Sequence, residues 1–211
     1  MRESYKRHLE KLRGDLAEMG ALCEEAINCS INGLVANNAE MRKKTFAIEE
    51  QIDDKEREIS RLCIILLIRE QPVASDLRFI TTAQKLVGDM ERIGANSASI
   101  AYLFENASDE QRYFVGKYME AMAKSVAQII SNAIDCLIKN DVEEAKSVII
   151  FDVVINNHFK NIKQDLIRRI DEDGKNGELC LDTFQAAKYL ERIGDHAKNI
   201  AKIVAYSVQN D

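Results

Sequence analysis

KYLERIGDHAKNIA, residues 188–201, has a partner one hundred positions earlier in VGDMERIGANSASIA, residues 87–101. At that offset Glu91, Arg92, Ile93 and Gly94 stand over Glu191, Arg192, Ile193 and Gly194, and Ile100 and Ala101 stand over Ile200 and Ala201. In the first copy Ile80, Val87, Gly94 and Ala101 recur every seven residues; in the second Leu190, Gly194, Ala197, Ala201 and Val204 alternate steps of four and three. Both patterns describe one apolar face of a helix. A glycine inside a helix costs about 1 kcal/mol relative to alanine. The paired Gly94 and Gly194 therefore predict a neighbouring helix that approaches closely at the same place in both copies.

Working outward, the repetition continues. At an offset of 103, Leu34, Asn37, Glu40 and Lys43 stand over Leu137, Asn140, Glu143 and Lys146. Three- and four-residue apolar steps predict a first helix over 5–36 and a second over about 39–69, separated by Asn37-Asn38 and ended by Gln71-Pro72. Ser75 and Asp76 are expected to cap a third helix that fades near Asn106. Ser108 with Gln111 has capping-box spacing and starts a fourth; Asp141 with Glu144 starts a fifth that runs to about Ile170. The turn at 173–177 precedes a sixth. Short turns make successive helices antiparallel neighbours. The expected fold is all-α, six long helices in two pseudo-symmetric three-helix bundles, with copies at 1–106 and 107–211.

Composition agrees. One proline, nine glycines and no tryptophan suit long helices better than a sheet. A net charge of -6 gives no electrostatic footprint for nucleic acid. The basic clusters Arg42-Lys43-Lys44 and Arg168-Arg169 read as solvated faces. MRESY at the start is no apolar signal, and the apolar run at 62–68 is too short to span a bilayer. A soluble, cytoplasmic chain is expected. Cys23, Cys29, Cys63, Cys136 and Cys180 lack metal or disulfide spacing and read as small core residues.

Carboxylates form the one chemical constellation. Glu49 and Asp53 lie one turn apart on the second helix, and the 103 offset places them over Asp152 and Asn156 on the fifth. Counting away from the hairpin turns puts Glu91 level with Glu49, and Glu191 and Asp195 level with Asp152 and Asn156. Oxygen clusters from facing helices suit divalent or iron-type cations. Each half is one carboxylate short, however: Ala95 stands where Asp195 would be, and Asn156 where Asp53 would be. Partial sites are expected. The competing reading is a solvated stripe, since Glu191, Asp195, Lys198 and Lys202 are helical neighbours. His196 reads as a surface or capping histidine, and His8 and His158 have no metal-type spacing. Arg92 and Arg192 could bind an anion or stack on a neighbouring helix.

QPVASDLRF at 71–79, the two ERIG stretches and LEKLRGDLAEMG at 9–20 resemble the PhoU family over nearly the whole chain. The resemblance implies two three-helix bundles, a cytoplasmic homodimer and no catalysis. It further implies a negative regulator of phosphate uptake and the phosphate-starvation response, acting as an adaptor between the phosphate ABC transporter and a sensor histidine kinase. Membrane association would come through those partners alone. The family's paired Glu/Asp-x-x-x-Asp motifs bind metal, and Glu49 with Asp53 and Glu191 with Asp195 keep that motif, whereas Glu91 with Ala95 and Asp152 with Asn156 depart from it. The alternatives are an accessory subunit of another phosphate transporter and a metal-dependent carboxylate-bundle enzyme. Against the enzyme, the chain has no Glu-x-x-His element and no Gly-rich phosphate loop.

Overall fold

The computed structural model describes residues 2–35, 38–105, 108–172 and 177–209. Six helices follow one another: α1 Arg2–Val35, α2 Ala39–Glu70, α3 Ala74–Leu103, α4 Asp109–Lys139, α5 Val142–Glu172 and α6 Gly177–Gln209. Among the described residues there is no strand. The expected boundary between residues 106 and 107 lies outside the described residues, as do Asn37 and the turn residues 173–176.

Side chains at the helix starts satisfy the free N–H groups there. Asn38 Oδ1 accepts from the backbone N–H of Glu40 at 3.0 Å and of Met41 at 3.2 Å. Ser108 and Gln111 close the expected capping box, with Ser108 Oγ accepting at 3.2 Å and Gln111 Oε1 at 2.8 Å. Asp141 Oδ1 accepts from Glu143 and Glu144 at 3.0 and 3.1 Å. Two helices end on left-handed residues, Gln71 with φ 45° and Asn140 with φ 54°. The start of α3 differs from expectation. Val73 is the cap residue by its extended backbone and makes no side-chain bond, because a valine side chain has no acceptor to offer. Asp76 lies within the first turn instead, where its Oδ2 accepts the Tyr5 hydroxyl at 2.9 Å and ties α1 to α3.

Within each copy the three helices pack pairwise, α1 with α2 and α3, and α4 with α5 and α6. Across the copies α1 packs on α4 and α3 on α6, while α2 and α5 each stay on the outside of their own bundle. Four central helices are thus flanked by two outer ones. The apolar positions read from the sequence supply the core: Leu12, Met19, Ile52, Ile59, Val87, Met119, Ile129 and Ile200 are all buried. All five cysteines are free and buried. Burial pushes the thiols up, Cys63 to about 11 and Cys136 to about 12, which keeps them unreactive.

One sequence expectation needs correction here. Arg42 is not solvated: it is buried, and its Nη1 donates to the Gly33 carbonyl at 3.0 Å, near the end of α1 where carbonyls lack helical partners. Lys43 and Lys44 beside it are exposed. Residues Tyr113–Lys139 of α4 are long and apolar enough to cross a membrane by length and composition alone. Its Val115, Met119, Met122, Val126 and Ile130 are buried in the protein core, which accounts for that composition.

The duplicated glycines explain how the bundles close. A Cβ on Gly94 would lie 2.9 Å from Ile52 Cδ1 and 3.2 Å from its Cγ2; on Gly194 it would lie 2.8 Å and 3.3 Å from the same atoms of Ile155. Ile52 and Ile155 are themselves partners at the 103 offset. The contact therefore occurs twice, seating α3 on α2 and α6 on α5. Gly88 on α3 has nothing within 4 Å of such a Cβ. Gly88→Ala is accordingly expected to stabilise the fold by up to about 1 kcal/mol through helix propensity, whereas Gly94→Ala should give no gain. Urea unfolding of the two variants beside the parent measures the difference, and equal gains would contradict it.

Candidate functional site

The first acidic shelf joins α2 to α3. Glu49 and Asp53 are partly buried one turn apart, and Glu91 faces them from α3. The Glu49 carboxyl is held above its ordinary range, chiefly by burial and then by the charges of Asp53, Glu91 and Glu50. Glu91 Oε2 lies 3.2 Å from Nε of Arg92. Ala95, one turn further along α3, adds no oxygen.

The second shelf joins α5 to α6 and is built differently. Asp152 is buried, and its Oδ2 accepts from Asn156 Nδ2 at 2.8 Å and from Lys198 Nζ at 2.6 Å. Lys198 also donates to Asp195 Oδ1 at 3.0 Å, so one ammonium bridges carboxylates of two helices. Lys188 in turn engages Glu191 and lies 5.0 Å from the centre of the Phe159 ring. Burial works against the Lys198 ammonium, but its bonds to Asp152 and Asp195 together outweigh it and hold the group above its ordinary range. Asp152 Oδ1 is buried without a partner.

These contacts decide how a cation would be received. Lys198 places a positive charge on the two carboxylates that a divalent ion would need, so the second shelf as built does not fit one. At the positions of Lys188 and Lys198 the first copy has Gly88 and Ala98, and its three carboxylates have no such bridge. Among the described residues, no group of three or more His, Cys, Asp or Glu side chains stands close enough to hold a metal ion. Of the seven candidate ligands, Glu49, Asp53 and Glu91 share the first shelf but stand wider apart than a metal site; Asp152 and Asp195 are joined through Lys198, Asn156 bonds Asp152, and Glu191 is held by Lys188. The stripe reading fails in part, since Lys198 reaches across to α5 and only Lys202 is simply exposed. Its position three residues after Asp195 put Lys198 on the acidic face, but spacing carries no sign of the crossing to another helix.

At the α3–α6 seam the halves are fastened by a contact that the sequence did not reveal. His196 Nδ1 lies 2.8 Å from Asp89 Oδ1, which also receives Asn199 Nδ2 at 3.5 Å. Asp89 has Tyr189 as its counterpart in the second copy, so repetition gave no hint of the pair. Arg92 and Arg192 flank the same seam, both exposed and not covered by a neighbouring helix.

Fold and shelves together define a class: a duplicated all-helical bundle whose paired acidic motifs sit between an outer and an inner helix of each half. The chain belongs to the PhoU domain family, whose model matches residues 16–104 and 119–204. It is 32% identical over 211 residues to a phosphate-specific transport system accessory protein PhoU homolog of Pseudomonas aeruginosa, covering 98% of this chain and 86% of that one. A crystal structure of PhoU from Pseudomonas aeruginosa matches with a TM-score of 0.88 at 30% identity, over 98% of this chain and 100% of that one. The phosphate transport system regulatory protein PhoU from Streptococcus pneumoniae shares the fold, with a TM-score of 0.84 at 20% identity over 98% of both chains.

Two outcomes follow from the shelves. Removing the bridge with Lys198→Met leaves Asp152 buried without counter-charge and is expected to cost about 3 kcal/mol, most of it recovered by adding Asp152→Asn, as chemical denaturation would measure. Glu49 binds its proton more tightly in the folded than in the unfolded chain. Ionising it therefore weighs against the fold, an effect absent below the ordinary value of 4.5 and complete above the raised one. Glu49→Gln should raise the melting temperature at about pH 7 and leave it unchanged at about pH 3.

Proposed function

We propose that the chain is a cytoplasmic negative regulator of phosphate uptake and of the phosphate-starvation response, acting as an adaptor between the phosphate ABC transporter and a sensor histidine kinase. The observation that carries this reading is the PhoU architecture running through both halves, with relatives named as accessory and regulatory proteins of phosphate transport. A second feature supports docking on protein partners. The outer face of α5 exposes Ile150 at 72%, Val153 at 58% and Val154 at 38% of their surface, and an apolar patch of that kind marks an interaction surface. The matching face of α2 carries Ala47, Glu50 and Gln51. The two outer helices are thus equivalent in fold and unequal as surfaces, as an adaptor with two different clients requires.

Cation binding belongs to the same proposal in reduced form. Weak uptake of a divalent or iron-type ion is assigned to Glu49, Asp53 and Glu91, which must draw closer together than they stand here and whose surplus charge it would offset, and none to the second shelf while Lys198 bridges it. Calorimetric titration with manganese should give weak binding that Glu49→Gln with Glu91→Gln removes; undiminished binding in that double variant would contradict the assignment.

Deleting the gene is expected to derepress phosphate-uptake genes in phosphate-rich medium, and unchanged repression would refute the regulator reading. The adaptor role predicts that the tagged chain captures transporter and kinase from solubilised membranes. Val153→Glu should lose at least one of them while keeping the parental melting temperature. Capture of a different phosphate transporter without a kinase would replace the adaptor by an accessory-subunit role.

A further inference from the structure

The seam between α3 and α6 holds a cavity of about 640 Å³, lined from one side by Arg92, Ala95, Asn96 and Ser99 and from the other by Tyr189, Arg192, Asp195 and His196. It is the place where the duplicated motif meets its own copy. Because the two ERIG helices pack on each other, the arginines that follow the motif glutamates are both delivered to one cleft. Repetition alone concentrates positive charge there, in a chain whose net charge is -6.

The negative groups nearby are largely engaged. Asp195 is bridged by Lys198 at 3.0 Å, and Glu191 is engaged by Lys188. Glu91 Oε2 meets Arg92 at Nε, 3.2 Å away, and the Arg92 side chain stays exposed at the cleft. Arg192 makes no hydrogen bond or ion pair among the described residues. Where the second copy has Asp195, the first has Ala95, so the cleft wall on that side carries no carboxylate. His196 is held by Asp89 through Nδ1, and its ring and that of Tyr189 line the α6 side of the cleft.

Guanidinium groups present planar forks that match tetrahedral oxyanions, and clefts lined by one sign of charge raise the local concentration of the opposite ion. We propose that this cleft binds a small tetrahedral dianion, inorganic phosphate, between the forks of Arg92 and Arg192. The choice of phosphate among such ions rests on the regulator reading above; the existence of an oxyanion site rests on the cleft. Bound there, the ion would bridge the two bundles, so its occupancy would report phosphate level as a change in how firmly the halves are held together.

Titration calorimetry of the full chain with inorganic phosphate, and in parallel with sulfate, tests the proposal. Saturable phosphate binding is expected, weakened about tenfold by Arg192→Ala, as loss of one charge-assisted contact implies, and abolished by Arg92→Ala with Arg192→Ala. Ala95→Asp, which copies the second half's carboxylate into the cleft, should also weaken binding, while Arg192→Lys keeps part of it. All the altered residues lie at the seam surface, and an unchanged melting temperature verifies the fold of each variant. Equal affinity for sulfate supports a site read by charge and shape. Absence of saturable phosphate binding, or binding indifferent to both Arg192→Ala and Ala95→Asp, overturns the proposal. Either result leaves the gene-deletion outcome untouched, so the two readings fail separately.

Discussion

The contact of a hydrogen atom with an isoleucine fixes the geometry of both halves. Gly94 against Ile52 and Gly194 against Ile155 bring an inner helix onto an outer one at a distance that a side chain would enlarge, since an added Cβ would approach within 2.9 Å. Closing this distance sets the height and rotation of α3 on α2 and of α6 on α5. The glutamates three residues earlier are thereby carried to the same level as the acidic residues of the outer helix. A glycine that costs about 1 kcal/mol in helix propensity is retained because the packed alternative is worse. The shelves, the exposed face of α5 and the cleft at the seam all inherit their positions from this seating.

Once two copies share a scaffold, their surfaces can diverge without disturbing it. The first shelf keeps three carboxylates, and burial together with their mutual repulsion raises Glu49. The second carries Lys198 and Lys188 and is an ion-paired network, with Asp152 buried and bridged to Asp195. Buried ion pairs contribute little net stability but punish the loss of one partner, so such a network holds a conformation more than it strengthens a fold. One half is thus electrostatically open and the other closed. The same divergence puts Ala47, Glu50 and Gln51 on α2 where α5 exposes Ile150, Val153 and Val154. Family membership accounts for the common scaffold; these differences distinguish its two halves.

The fold was legible because several local signals agreed with the duplication. Asn38, Ser108 and Asp141 all act as helix caps from their side chains, and the apolar steps through Ile80, Val87 and Ala101 are buried as their period requires. Val73 was missed because a cap made by backbone conformation alone has no side-chain signature. Arg42 was missed because a charge in a basic run looks solvated until the end of α1 is placed beside it. The shelf residues could be aligned in height by counting from the turns. What lies between them could not, since whether Lys198 reaches Asp152 or water depends on the rotation and crossing of α5 and α6. His196 with Asp89 was hidden for a further reason: the pair joins different halves and has no counterpart in the repeat.

Transplanting the Gly194 substitution into a background without its isoleucine tests the seating most directly. Ile155→Ala opens space against α6 at a cost of about 2–5 kcal/mol. Within that background Gly194→Ala should stabilise the protein by about 1 kcal/mol, the full propensity gain, while in the parent it should give none or a loss. Equal stability changes in the two backgrounds, measured by urea unfolding, would contradict the claim that this contact sets the arrangement of the bundles.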